Sequence, residues 1–233
     1  MNGLKSFINK ATESAELHIL DDIGPSWAGM VGAKGVAAEL KAIGSVKTLD
    51  VHVNSMGGSV FEGFAIYNLI KDHSAAVTMH VDGIAASAAS AIVMAGDTIK
   101  MAKNSFLMIH NPSVIMWGEA KDLRKEADVL DSLKVKIACI YADRGNKDSE
   151  AFSTMMDDET WLDADAAVEY GLADEVNANK AAVLNSLSPR TYSFANLPDA
   201  VRNLPKCEMP QQSEPPLRRR LDAWKQVGAR IGK

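Results

Sequence analysis

Residues 49–60 read Leu-Asp-Val-His-Val-Asn-Ser-Met-Gly-Gly-Ser-Val: a short apolar run, two consecutive glycines, then the opening of a helical pattern. Such a run followed by a helix is the pattern of a parallel strand entering its crossover. The same order recurs at Val81-Asp82-Gly83-Ile84-Ala85-Ala86-Ser87-Ala88-Ala89-Ser90-Ala91. Working outward, strands are expected at 16–20, 48–53, 76–81, 97–102, 105–109 and 172–176. Amphipathic helices are expected at 34–43 and 60–72, the second with Phe61, Phe64, Ala65, Tyr67, Asn68 and Leu69 carrying most of its apolar surface. The longest helical pattern, 119–143, strings Ala120, Leu123, Ala127, Leu130, Ile137 and Tyr141 on one stripe, widened by Leu133 and Ile140. The class is α/β, with no repeat of solenoid period.

Composition narrows the function classes. The chain has 233 residues, a 47% hydrophobic share and a net charge of −5, so it can bury a sizeable core and carries no global positive field for nucleic acid or anionic membrane. Neither kind of partner is expected. Cys139 and Cys207 make no metal spacing or disulfide framework, no stretch has signal-peptide or membrane-spanning character, and a cytoplasmic setting is expected. Five of the eight prolines fall after residue 190, and residues 206–233 hold seven basic side chains against three acidic ones, leaving about −9 for the rest. A domain boundary is therefore placed near 180, giving an N-terminal segment 1–15, a core domain 16–180 and a proline-marked, basic extension 181–233. Leu217, Leu221, Trp224 and Val227 would allow an amphipathic docking helix over 217–231 in that extension.

Three segments could carry chemistry. At the Gly57-Gly58 turn, backbone N–H groups face outward at a helix start, where an oxyanion or phosphate could be held. Ser87 falls at the second strand-to-helix turn among small neighbours. It reads either as an elbow nucleophile or as a packing residue in an Ala-rich helix. A serine nucleophile needs a base. His18, His52, His73 and His80 read as structural or solvent-facing, whereas His110 follows the apolar run Ser105–Ile109 and sits at a strand terminus. The acidic cluster Asp157-Asp158-Glu159-Thr160-Trp161-Leu162-Asp163 reads, on its own, as a solvated face, with Asp163 as a helix cap.

Taken together these segments resemble the ClpP serine peptidase family, of crotonase-like superhelical α/β spiral fold. Asn54–Val60 is similar to the family's Asn-Ser-Pro-Gly-Gly-Ser-Val turn. Gly83-Ile84-Ala85-Ala86-Ser87 is similar to its Gly-Gln-Ala-Ala-Ser, and Met108-Ile109-His110-Asn111-Pro112 to its Met-Ile-His-Gln-Pro. Ala166 to Asp174 resembles its Glu-Ala-Val-Glu-Tyr-Gly-Leu-Val-Asp, so the likeness runs from about 16 to 177. It implies Ser87 as nucleophile, His110 as base and then acid, and the N–H groups of Gly58 and Ala88 as oxyanion hole. Gly57, Ser59, Asn111 and Pro112 would flank the substrate. The family's acid aligns with Glu159, with Asp157, Asp158 and Asp163 as substitutes.

No cofactor or metal is implied. The resemblance implies a protein or peptide substrate and interlocked heptameric rings built on the 119–143 helix. Residues 1–15 lack the family's axial-loop segment, which puts an ATPase partner in doubt. That departure and the extension resemble the phage head maturation proteases of ClpP type, which process scaffold or capsid protein inside a procapsid. A bacterial quality-control peptidase working with an ATPase is the alternative; a crotonase-like acyl-CoA enzyme and an inactive capsid or scaffold component are further ones.

Overall fold

The computed structural model describes residues 3–177, 195, 196 and 198. In chain order its elements are β1 (Leu4–Asn9), β2 (Ser14–Ile19), α1 (Ala33–Ile43), β3 (Thr48–Ser55), α2 (Val60–Lys71), β4 (Ala76–Ala86), α3 (Ala88–Val93), β5 (Thr98–Ala102), β6 (Phe106–Ile109), α4 (Ala120–Arg144), α5 (Ser149–Asp157), β7 (Thr160–Asp163), α6 (Ala164–Glu169) and β8 (Glu175–Asn177). The chain forms two units, Met1–Asn196 and Leu197–Lys233, and the fold described is that of the first.

The sheet order is β1-β2-β3-β4-β5-β8, with β6 on β4 and β7 on β6. Every pairing is parallel except β1 with β2 and β6 with β7. The α/β class with crossover helices is thus present, and each strand expected from the apolar runs has a counterpart. Two antiparallel strands were not foreseen. β1 exposes Phe7 and Ile8 and buries little besides Leu4, so its own pattern is weak; pairing with β2 makes it a strand. β7 lies within the acidic cluster.

β4 is the pivot. Its 11 residues pair with β5 along the first half (Thr78–Val81) and with β6 along the second (Ile84–Ala86). That division carries the end of β4 beyond the main sheet, toward β6 and β7. Core residues Leu17, Val51, Val53, Met79 and Val81 alternate with polar ones, as half-buried strands require. On the opposite face His18, His52 and His80 occupy one cross-strand row and stack at centroid separations of 4.8 and 4.5 Å. Each ring meets a carboxylate, Glu16, Asp82 and Asp50 respectively. His73 Nδ1 accepts from the Ala75 N–H.

Two helices differ from expectation in what they bury. α2 turns Gly63, Ile66 and Ile70 inward and leaves Phe61 exposed, so its buried stripe is narrower than the aromatic one read from the sequence. Gly63 permits this, since a Cβ there would stand 3.2 Å from the Ala88 Cβ and α2 lies close against α3. In α4 only the C-terminal half of the stripe is covered, by way of Leu133, Ile137, Ala138 and Tyr141, while Ala120, Leu123 and Ala127 are exposed. A helix of 25 residues is about 38 Å long and outruns the layer it packs on.

No helix among the described residues is long and apolar enough to cross a membrane. Cys139 is free and exposed. Apart from residues 195, 196 and 198, the extension 181–233, with its proposed 217–231 helix and Cys207, lies outside the described residues.

Candidate active site

Strand register brings the candidate residues to one end of the sheet. β3 pairs Ser55 with Ala85, β4 pairs Ala86 with Met108, and β6 pairs Ile109 with Thr160. One or two residues further along each ladder stand Gly57, Ser87, His110 and Glu159. The Ser87 N–H donates to the Met108 carbonyl at 2.9 Å and closes the ladder. His110 Nε2 then lies 2.8 Å from Ser87 Oγ. The imidazole is within reach of the hydroxyl proton.

Ser87 sits at the first turn of α3 with φ 55° and ψ −126°, outside the regions a side-chain-bearing residue prefers. The strained turn lifts its Oγ off the strand end, as in a nucleophile elbow. Ser90 Oγ donates to the Ser87 carbonyl at 2.6 Å and lies 2.8 Å from Tyr141 Oη. Since the single Ser90 proton is used on the carbonyl, Tyr141 must donate to Ser90. Tyr141 is buried, and burial pushes its hydroxyl well above the usual tyrosine range, against the smaller effect of the Ser90 bond. A donor chain therefore runs from α4 to the Ser87 backbone. Nothing in the spacing of Ser90 and Tyr141, 51 residues apart, points to it.

The glycine turn is locked from two sides. Gly57 has φ 92°, and a Cβ there would stand 2.4 Å from the Ala86 carbonyl oxygen and 2.7 Å from the Ser87 Cβ. Gly58 has φ 140°, and its Cβ would meet the Ile23 carbonyl oxygen at 2.1 Å. Ile23 fastens both neighbours, donating to the Gly57 carbonyl and accepting from the Ser59 N–H. The Gly57 N–H is taken by Ser55 Oγ. Among the described residues no acceptor for the Gly58 N–H is found, and Ala88, first in its helix, has no intrahelical acceptor. These two amides can receive a developing oxyanion.

Glu159, at φ 47°, lies near enough for its charge to act on His110. Its Oε1 accepts from the Asn196 N–H at 2.8 Å and from Trp161 Nε1 at 3.2 Å, and its Oε2 from the Ala195 N–H at 2.8 Å. Partial burial works against the carboxylate, but the amides of Asn196 and Ala195, the indole and His110 together hold its carboxyl below the usual range. Burial pushes His110 below the ordinary 6.5, and the Glu159 charge works the other way. Among the other acids, the carboxylates of Asp157 and Asp163 are otherwise engaged. Asp157 binds Lys134 and Asn111, Asp163 caps α6 through the Ala166 N–H, and the Asp158 carbonyl accepts from Asn196 Nδ2.

Beside Ser87 and His110 an apolar pocket is lined by Val60, Phe64, Ala91, Pro112 and Ile137. Of the other flanking residues, Ser59 caps α2 by accepting from the Glu62 N–H, and Asn111 donates to Asp157. No cluster able to hold a metal occurs among the described residues.

The family model described as Clp protease matches residues 7–180. The chain belongs to the Clp protease family. It is a ClpP-type serine peptidase. The ATP-dependent Clp protease proteolytic subunit of Bacteroides thetaiotaomicron is 33% identical over 153 residues, covering 64% of this chain and 70% of that relative. Subunit 2 of Treponema denticola, under the same name, is 30% identical over 143 residues, covering 60% and 72%. Among solved structures, the ClpP1 N165D mutant from Listeria monocytogenes superposes with a TM-score of 0.62 at 23% identity, covering 73% of this chain and 94% of that one. At that identity the likeness concerns the fold, and it matches the α/β architecture described above.

Proposed function

We propose that this Clp protease family member cleaves peptide bonds with Ser87 as nucleophile, His110 as general base and then acid, and Glu159 as the carboxylate that steadies the imidazolium. The single observation that carries this reading is the 2.8 Å contact between Ser87 Oγ and His110 Nε2. His110 takes the hydroxyl proton as Oγ attacks the carbonyl carbon, and the Gly58 and Ala88 N–H groups donate to the oxyanion. The imidazolium then gives its proton to the leaving amine, and water, deprotonated by the same imidazole, releases the acyl group. The substrate is an extended peptide chain with an apolar side chain in the pocket beside Phe64 and Ile137.

The relatives' name, ATP-dependent Clp protease proteolytic subunit, supports the reading of a bacterial peptidase that works as one subunit of an ATP-dependent protease, the quality-control alternative. The head-maturation reading has no support among the relatives named above and rests on residues 181–233 and the unfamiliar first 15 residues alone, so the quality-control reading ranks first. One experiment separates them. Wild type and Ser87→Ala are incubated with an unfolded protein, a Clp ATPase and ATP, and separately co-expressed with candidate scaffold and capsid proteins. ATP-dependent degradation lost in Ser87→Ala supports the quality-control reading; discrete trimming of capsid or scaffold without ATPase supports the other. Undiminished turnover in Ser87→Ala would sink both.

A further inference from the structure

We propose that the segment carrying Ala195 and Asn196 is a positioning element of the peptidase, a strap of backbone amides that sets the carboxylate of Glu159 against His110. The inference rests on the catalytic reading above and adds to it a stretch of chain beyond residue 180, where the family match ends.

Three observations converge. The first is geometric: two successive main-chain amides, Ala195 and Asn196, each bond one oxygen of Glu159 at 2.8 Å, while the Asn196 side chain bonds the Asp158 carbonyl at 2.7 Å. The segment thus grips both the side chain and the backbone just before it. The second is chemical. A glutamate has one more rotatable bond than an aspartate, so its carboxylate must be restrained to orient an imidazole reproducibly. Trp161 restrains one oxygen and the strap restrains both. With about two acceptor sites per carboxylate oxygen, Oε2 retains room for an imidazole N–H. The third is conformational. Glu159 lies at positive φ, an arrangement that costs free energy for a residue with a side chain and is sustained here by its surroundings.

The arrangement orients the acid without consuming it. The donors are neutral amides, so the carboxylate keeps its full charge beside His110. Neither Ala195 nor Asn196 touches the reacting atoms; they act through Glu159 alone.

The test uses full-length protein and proline, which has no N–H to donate. Ala195→Pro removes one main-chain donor; Asn196→Pro removes one together with the side-chain bond to the Asp158 carbonyl, and Asn196→Ala removes that side-chain bond alone. On a short peptide with an apolar side chain, each proline variant is expected to lower kcat about tenfold or more, with KM within about twofold, because orientation is lost and the pocket is not. Asn196→Ala, which spares both main-chain donors, should lower kcat less than either proline variant. The acid limb of the kcat/KM profile should move to lower pH in the proline variants, since a misplaced Glu159 stabilises the His110 imidazolium less. In a Glu159→Gln background the prolines should add nothing.

Wild-type kcat and an unmoved acid limb in both proline variants would overturn the proposal. A higher kcat would do so as well, marking the segment as an obstruction. So would a proline loss equally large in the Glu159→Gln background, which would make the segment a support of the fold. If a proline lowers the melting temperature, that last comparison still decides, because a folding loss is carried in both backgrounds. Failure of the catalytic reading looks different: Ser87→Ala would retain turnover, or Glu159→Gln would match wild type. The strap alone fails when Ser87→Ala and Glu159→Gln are crippled and the proline variants are not.

Discussion

At φ 55° and ψ −126° Ser87 holds a backbone that glycine would adopt with little strain. Ser87→Ala keeps that strain and Ser87→Gly releases it, so both should be inactive while the glycine variant is more stable by about 1 kcal/mol in thermal melts. Gly57→Ala should do the reverse. A methyl aimed at the Ala86 carbonyl and the Ser87 Cβ must shift the nucleophile, costing about 1–3 kcal/mol and most of the turnover. The buried pair Ser90 and Tyr141 should respond unequally. Ser90→Ala strands the Tyr141 hydroxyl at about 1–3 kcal/mol, whereas Tyr141→Phe leaves Ser90 bonded to the Ser87 carbonyl and costs about 1 kcal/mol; chemical denaturation compares them. For His110 the sign follows from its surroundings. Burial favours the neutral base, so activity should persist below the ordinary imidazole value of 6.5 and fall only as pH drops through the depressed pKa. Glu159→Gln removes the charge that opposes this depression, and the acid limb should move lower still.

At the scale of elements, the strands with continuous or alternating apolar residues were legible, and so were the glycines and the two motifs at the ends of β4 and β6. Ser87 and His110 could be singled out because each terminates an apolar run. Glu159 could not be chosen by that logic. The strand that follows it, β7, buries only Leu162 fully and owes its existence to pairing with β6, so the acidic cluster looks like a solvated face until the ladder is known. The aromatic stripe of α2 misled for a related reason: the helix packs by its smallest side chain, Gly63, and packing distance overrode hydrophobicity. α4 is divided between both regimes. Ile137→Ala, in its covered half, should destabilise by about 2–5 kcal/mol, while Leu123→Ala, 46% exposed, should stay within about 0.5 kcal/mol in the dissociated protein. If rings form through the exposed half, Leu123→Glu should shift sedimentation toward smaller species without changing the melting of the dissociated chain.

For the whole molecule, the site gathers the ends of β3, β4 and β6 and the start of β7, four points spread over about a hundred residues. A sequence pattern reports each point separately, and only the sheet order makes them neighbours. The final ties arrive last. Glu159 is bonded by amides 36 and 37 positions further along the chain. A ribosome adding about 5–20 residues per second therefore finishes the nucleophile and base some seconds before it supplies those two amides. Throughout that interval a nascent chain carries its serine and histidine while the proposed acid is untethered, a built-in delay before cutting power can develop next to the machinery that is making it.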